Sequence, residues 1–156
     1  MEPGRTWFTN ENCSVARTLE AIGERWTLLV LREAFLGVRR FEELQRNTGA
    51  ARNILAARLR KLVERGILER RPYEEHPPRF EYRLTGRGLD LYPILVSLVR
   101  WGDKYVADPS GPPIVLEHKA CGHDILPHLV CSECGGEIAA RDVIAKPGPG
   151  ALRKPA

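Results

Sequence analysis

The chain has 156 residues, 43% of them hydrophobic and 28% charged, which suits one medium domain with its own core plus an appendage and is too short for a multidomain enzyme. No apolar run approaches the roughly 20 residues that cross a bilayer, and residues 1–10 lack an apolar stretch followed by a small-residue cleavage site, so a cytoplasmic protein is expected. Thiols stay reduced there, and Cys13, Cys121, Cys131 and Cys134 are read as free thiols or metal ligands rather than a disulfide framework.

The net charge of +4 is unevenly spread: residues 39–71 hold ten basic and four acidic side chains, whereas the chain from Asp108 onward holds five basic and six acidic. A focused basic segment suits a polyanion such as DNA, because Lys and Arg release condensed counterions when they meet phosphates. A solvated, arginine-rich helical surface has the same composition.

Residues 13–23 (CSVARTLEAIG) set Val15, Leu19 and Ile22 at helical spacing, with Gly23 as the stop. Residues 25–36 (RWTLLVLREAFL) predict a second, mostly buried helix whose broad face includes Trp26, Leu29, Val30, Glu33 and Phe35, ended by Gly37. A short third helix is predicted over residues 41–46. Asn47-Thr48-Gly49 supplies turn chemistry, and a fourth helix runs over about 51–65 until Gly66. Two helices joined by a short turn outline a helix-turn-helix.

The period then changes. Residues 67–71 and 80–84 read as strands around a Pro-rich connector, PYEEHPPR, giving a hairpin with a long tip. A helix capped by Thr85 is expected to run to about residue 107, kinked at Pro93, with Leu89, Tyr92, Leu95, Leu98, Val99 and Trp101 forming a wide apolar stripe. The predicted fold is therefore mainly α with a small β-wing, a winged helix-turn-helix. The surplus apolar surface on its terminal helices predicts a homodimer.

On the fourth helix Leu55, Leu59 and Leu62 share one face, and Asn53, Ala56, Ala57, Arg60 and Glu64 lie opposite. Two alanines beside Asn53 and Arg60 let a helix sit close in a major groove, where Asn matches an adenine edge and Arg a guanine edge. Arg52 lies in the first turn, the end of a recognition helix that approaches the bases. Arg58 falls toward the apolar flank and reads as a phosphate or packing residue. Arg39 and Arg40, before the third helix, suit phosphate clamping, and Arg79, less so His76, faces the groove or backbone from the wing. Each has an ordinary surface reading as well.

The segment HKACGHDILPHLVCSECGG contains two similar knuckles, His118-x-x-Cys121-Gly and Cys131-x-x-Cys134-Gly, nine residues apart. Zinc takes four N or S ligands in a tetrahedron, and a C-x-x-C turn presents two sulfurs to one ion. A structural Zn2+ held by His118, Cys121, Cys131 and Cys134 is expected, with residues 122–130 forming a hairpin that closes a miniature zinc ribbon. His123 competes with His118, and a metal-free tail or a Cys131–Cys134 redox pair remains open. Four ligands leave no open catalytic position, and no phosphate loop, nucleophile elbow or paired carboxylates occur, so no enzyme is predicted.

The chain resembles the HxlR-type winged-helix transcriptional regulators, relatives of the MarR type, over about residues 13–106. The likeness rests on CSVARTLEAIGERWTLLVLREAFLGVRRFEELQR, TGAARNILAARLRKLVERGILERR, YEEHPPRFEYRLT and GRGLDLYPILVSLVRWG, in family order. Where the family commonly has proline, this chain has Ser14 and Gly86. The resemblance implies a homodimer, joined through its first and last helices, that binds double-stranded DNA at a near-palindromic operator as a repressor. Cys13 matches a cysteine that some members use as a thiol sensor, and a helix N-terminus favours the thiolate such sensing needs. The alternative is a redox- or metal-responsive sensor or interaction module switched by Cys13 or by Cys121, Cys131 and Cys134. The domain reading is 1–107 winged helix, 108–117 linker, 118–146 zinc-ribbon-like motif and 147–156 disordered tail.

Overall fold

The structure, a computed structural model, describes residues 12–151; the reading of residues 1–10 and the last five residues of the tail lie outside it. Helices α1 (Ser14–Ile22), α2 (Arg25–Phe35), α3 (Phe41–Thr48) and α4 (Arg52–Glu64) lead into an antiparallel wing, β1 (Leu68–Glu75) and β2 (Pro78–Leu84). A one-turn α5 (Gly86–Leu89), a longer α6 (Tyr92–Tyr105) and a small hairpin, β3 (Leu116–His118) and β4 (His123–Ile125), follow. The chain divides into two compact units, one reaching Tyr92 and including Pro149–Ala151, the other Pro93–Gly148. Most of α6 thus belongs with the cysteine tail.

The first unit is held by one small core. Val30 and Leu31 of α2, Leu44 of α3, Leu55, Leu59 and Leu62 of α4, and Ile67 and Leu68 at the wing base are all at most 3% exposed. Each such aliphatic side chain gains about 1.5–3 kcal/mol on leaving water. The heptad-like spacing of the three α4 leucines fixes which face of that helix turns inward, and so which face remains for a ligand.

Glu33, counted on the apolar face of the second helix, is buried at 5% exposure for a polar reason. Asn47 Nδ2 donates to its Oε2 at 2.8 Å, and Arg32 Nε and Nη2 reach Oε1 at 2.9 and 2.7 Å. Asn47 and Thr48, expected in the turn, therefore lie in the last turn of α3. Thr48 Oγ1 bonds back to the Leu44 carbonyl at 2.6 Å, and Gly49, with φ of 73°, ends the helix in the left-handed region.

The wing strands are longer than predicted, because the ladder continues past Pro72 after a register shift between Pro72 and Glu74 and leaves only His76-Pro77 between the strands. A bulge absorbs a proline that donates no ladder hydrogen bond. The Tyr82 N–H donates to the Arg39 carbonyl at 2.8 Å and Arg40 bridges to Glu81, so residues 39–40 add a short third pairing to the sheet.

The single helix expected after Thr85 is two. Thr85 Oγ1 caps α5 by accepting from the Gly88 N–H at 3.1 Å and anchors it by donating to the Gly66 carbonyl at 2.6 Å. The chain then breaks at residues 90–91, and Pro93 sits in the first turn of α6, where its missing N–H costs nothing. The predicted kink is a new helix start. In the tail, the strands fall on residues 116–118 and 123–125 rather than within 122–130, so the first knuckle is itself the hairpin turn and β3 begins inside the segment read as linker. Among the described residues no helix is long and apolar enough to cross a membrane.

Candidate nucleic-acid interface

With Leu55, Leu59 and Leu62 committed to the core, α4 leaves Arg52, Asn53, Ala57 and Arg60 exposed and Ala56 half-buried. Its outward face is small, polar and cationic. Arg58 is not part of it: its Nη1 pairs with Glu24 Oε2, at the N-cap of α2, at 2.5 Å, and its side chain is 22% exposed. Arg58 is instead engaged within the protein, by a carboxylate that the N-cap of α2 places at the flank of the apolar stripe.

A second cationic surface forms where α3 meets the wing. Arg40, Arg52 and Arg79 line one open cleft of about 670 Å³ together with Arg46 and Arg70, against the carboxylates of Glu42 and Glu43. Aromatic rings hold three of these arginines: Arg40 lies 4.7 Å from the Tyr73 ring, Arg52 4.8 Å from Phe41 and Arg70 3.5 Å from Phe80. A guanidinium parked on a ring loses side-chain freedom before any ligand arrives. Arg79 hydrogen-bonds with Tyr73 and sits 3.3 Å from Glu74, and these two neighbours, in that order, raise its pKa further above neutrality.

The structure does not draw every predicted residue into that cleft. Arg39 lines a different cavity beside Glu69 and Arg71, while Asn53 and Arg60 stand on α4 outside both. His76 is exposed at the wing tip. Arg46 and Arg70 were missed by sequence reasoning. Period two would have found Arg70, which shares a wing face with Phe80 and Tyr82; Arg46 carries no such signal.

Cys13 is the N-cap of α1 and half-buried. In the second unit, His118 Nδ1 lies 3.3 Å from Cys121 Sγ. The backbone N–H groups of Cys134 and Glu133 and the Cys134 side chain hydrogen-bond with the Cys131 thiol and lower its pKa. Each knuckle has formed, yet among the described residues no three His, Cys, Asp or Glu side chains converge as a ligand set. His123 is the cross-strand partner of His118, and His128 pairs with Glu137 at 3.0 Å.

Comparison with known proteins places this architecture. The family model for an HxlR-like helix-turn-helix matches residues 21–110. The uncharacterized HTH-type transcriptional regulator MT3179 of Mycobacterium tuberculosis (strain CDC 1551 / Oshkosh) is 56% identical over 140 residues, 90% of this chain and 89% of that protein. The crystal structure of PA1607 matches with a TM-score of 0.76 at 39% identity, covering 86% of this chain and 94% of that one. The oxidized form of the redox regulator HypR matches with a TM-score of 0.58 at 33% identity, over 62% of this chain and all of that one. The helical order and the paired wing agree with these matches, and the chain belongs to the HxlR-like helix-turn-helix family of transcriptional regulators.

Proposed function

We propose that the protein is a sequence-specific regulator that binds double-stranded DNA as a homodimer on a near-palindromic operator and represses the gene beside it. The observation that carries this is the division of α4 into a leucine face wholly given to the core and an opposite face bearing Arg52, Asn53 and Arg60 in solvent. Arg52 and Asn53, in the first helical turn, read base edges, with Ala56 allowing close approach and Arg60 one turn further along. Arg39, Arg40 and Arg79, with Arg46 and Arg70, hold phosphates on either side. The dimer reading rests on large apolar side chains left in solvent: Val15 and Leu19 on α1 at 68% and 58%, and Leu98, Trp101 and Tyr105 on α6 at 49–61%. Val15 and Leu19 are four residues apart, and Leu98, Trp101 and Tyr105 follow i, i+3, i+7, so each set forms one apolar stripe in solvent, the kind of surface a partner covers.

Binding of the full-length protein to DNA upstream of its own gene, followed by fluorescence anisotropy against a scrambled duplex, tests the reading. A discrete dimer-sized complex on the upstream DNA supports it, and equal affinity for both duplexes refutes it. A second reading has its own support: Cys13 caps α1 with a half-buried thiol, and a structural relative is named a redox regulator. If Cys13 is a switch, peroxide or a quinone changes operator affinity in the parent and not in Cys13→Ser; an unchanged response in the variant removes it.

A further inference from the structure

The two knuckles of the second unit are the same structure twice. The Gly122 N–H donates to the His118 carbonyl at 2.8 Å, and the Gly135 N–H donates to the Cys131 carbonyl at 2.9 Å, each closing a five-residue turn. Both glycines hold left-handed φ values, 67° and 71°, which a residue with a Cβ adopts only under strain. His118 therefore corresponds to Cys131, Cys121 to Cys134 and Gly122 to Gly135. His123, past the glycine, has no counterpart in the second turn. Each turn puts two soft or borderline donors on one side, and each alone would leave two positions of a tetrahedral ion unfilled.

The chain between the turns is not loose. The Arg100 Nη1 donates to the Pro127 carbonyl at 3.1 Å, bringing residues 126–129 onto α6. Cavities of about 350 and 170 Å³ flank this strap, the larger lined by Trp101 and Leu129 and the smaller by Val99 and Leu126. At its far end the Ile138 N–H donates to the Leu129 carbonyl at 2.9 Å, the Cys131 N–H to the Gly136 carbonyl at 2.8 Å, and Val130 bridges to Glu137. The strap thus has a knuckle at either end, and few of its side chains are buried. So little apolar burial is a poor way to hold residues 126–130, and a metal is the usual remedy in segments this small.

Among the described residues the His118/Cys121 and Cys131/Cys134 pairs do not converge as one ligand set; we propose that one Zn2+ draws the two turns together, with His118, Cys121, Cys131 and Cys134 as its ligands, and so clamps residues 126–130 on α6. Binding needs no oxidant: one aqueous Zn2+ is taken by three cysteine sulfurs and a neutral imidazole, and the three thiol protons pass to solvent. The site is structural, since four protein ligands leave no position for water or substrate. It does not depend on the DNA reading. The match to MT3179 spans 140 residues, so it includes the His118 to Cys134 segment wherever it begins.

The test uses the full chain, stripped with chelator under a phosphine reductant and titrated anaerobically with Co2+, then Zn2+. Saturation at one Co2+ per chain is expected, with sulfur-to-cobalt charge transfer, the intense visible bands of a tetrahedral ion, and displacement by Zn2+. Cys131→Ser and Cys134→Ser should each weaken Co2+ binding at least about tenfold, as should His118→Ala, while His123→Ala leaves it within twofold. On Zn2+ removal the amides of Cys131 and Ile138 should exchange faster and those of α4 unchanged. Substoichiometric or octahedral cobalt, binding indifferent to the cysteine variants, or a Cys131–Cys134 disulfide in place of metal overturns the site. A His123→Ala loss larger than that of His118→Ala overturns the ligand set, and unaltered exchange overturns the clamp.

Discussion

Asn47 donates to the buried carboxylate of Glu33 at 2.8 Å, tying the last turn of α3 to the last turn of α2. The bond fixes the end of α3 against α2 just before the turn, since Asn47 is two residues from the left-handed Gly49 that ends α3. Removing the donor strands a buried acceptor. Asn47→Ala should lower unfolding free energy by about 1–3 kcal/mol in urea titrations with an unchanged m-value. A loss under a few tenths would mean that Arg32 alone satisfies Glu33.

Arg58 and Arg60 are two residues apart on α4 and should behave oppositely. Arg58→Ala breaks the contact to Glu24, whose side chain is 46% exposed, so about 0.2–1 kcal/mol of stability should be lost. DNA affinity should stay within about twofold. Arg60→Ala should leave stability unchanged and weaken DNA binding. If Arg58→Ala weakens DNA binding as much, the assignment of faces on α4 is wrong.

Glu74 holds Arg79 at 3.3 Å on the wing, and that carboxylate also faces whatever anion Arg79 meets. Glu74→Ala should therefore raise DNA affinity a few-fold at low salt, and the gain should fade as salt screens it. Arg79→Ala should lower affinity equally on specific and scrambled duplexes. A sequence-dependent effect would make Arg79 a base reader.

Leu98 and Trp101 on α6 are 49% and 59% exposed. Leu98→Glu puts a charge into the surface proposed to meet a second copy. The expected result is a monomer by light scattering at micromolar concentration, with helicity retained and operator affinity reduced by at least tenfold. A dimer of unchanged stability would place the interface elsewhere.

The legible parts of the chain were those where one period dominates. Leu55, Leu59 and Leu62 announce the buried side of α4, and with it the exposed Asn53 and Arg60, because a 3.6-residue repeat leaves no other face apolar. What failed had tertiary causes. Pro72 argued for a loop, yet a bulge keeps it in β1; Pro93 argued for a kink, yet it begins α6. Asn47 looked like turn chemistry until Glu33, fourteen residues away, used its amide. The arginine cleft was half visible, since Arg40 and Arg79 are far apart in sequence and meet Arg46 and Arg70 only through the wing. The knuckles were visible as spacing, but their place at the turn of β3–β4 was not.

The measurement that tests the central claim most directly is the salt dependence of affinity on the upstream duplex and on its scramble, for the parent, Arg52→Ala and Asn53→Ala. The account predicts a linear fall of log K with log salt for both duplexes and a preference of about 10³ or more for the upstream sequence at physiological salt. Each substitution should reduce that preference by about 1–3 kcal/mol and leave scrambled binding nearly unchanged. Equal affinity for the two duplexes at every salt concentration, or a preference untouched by both substitutions, would contradict α4 as the element that reads DNA.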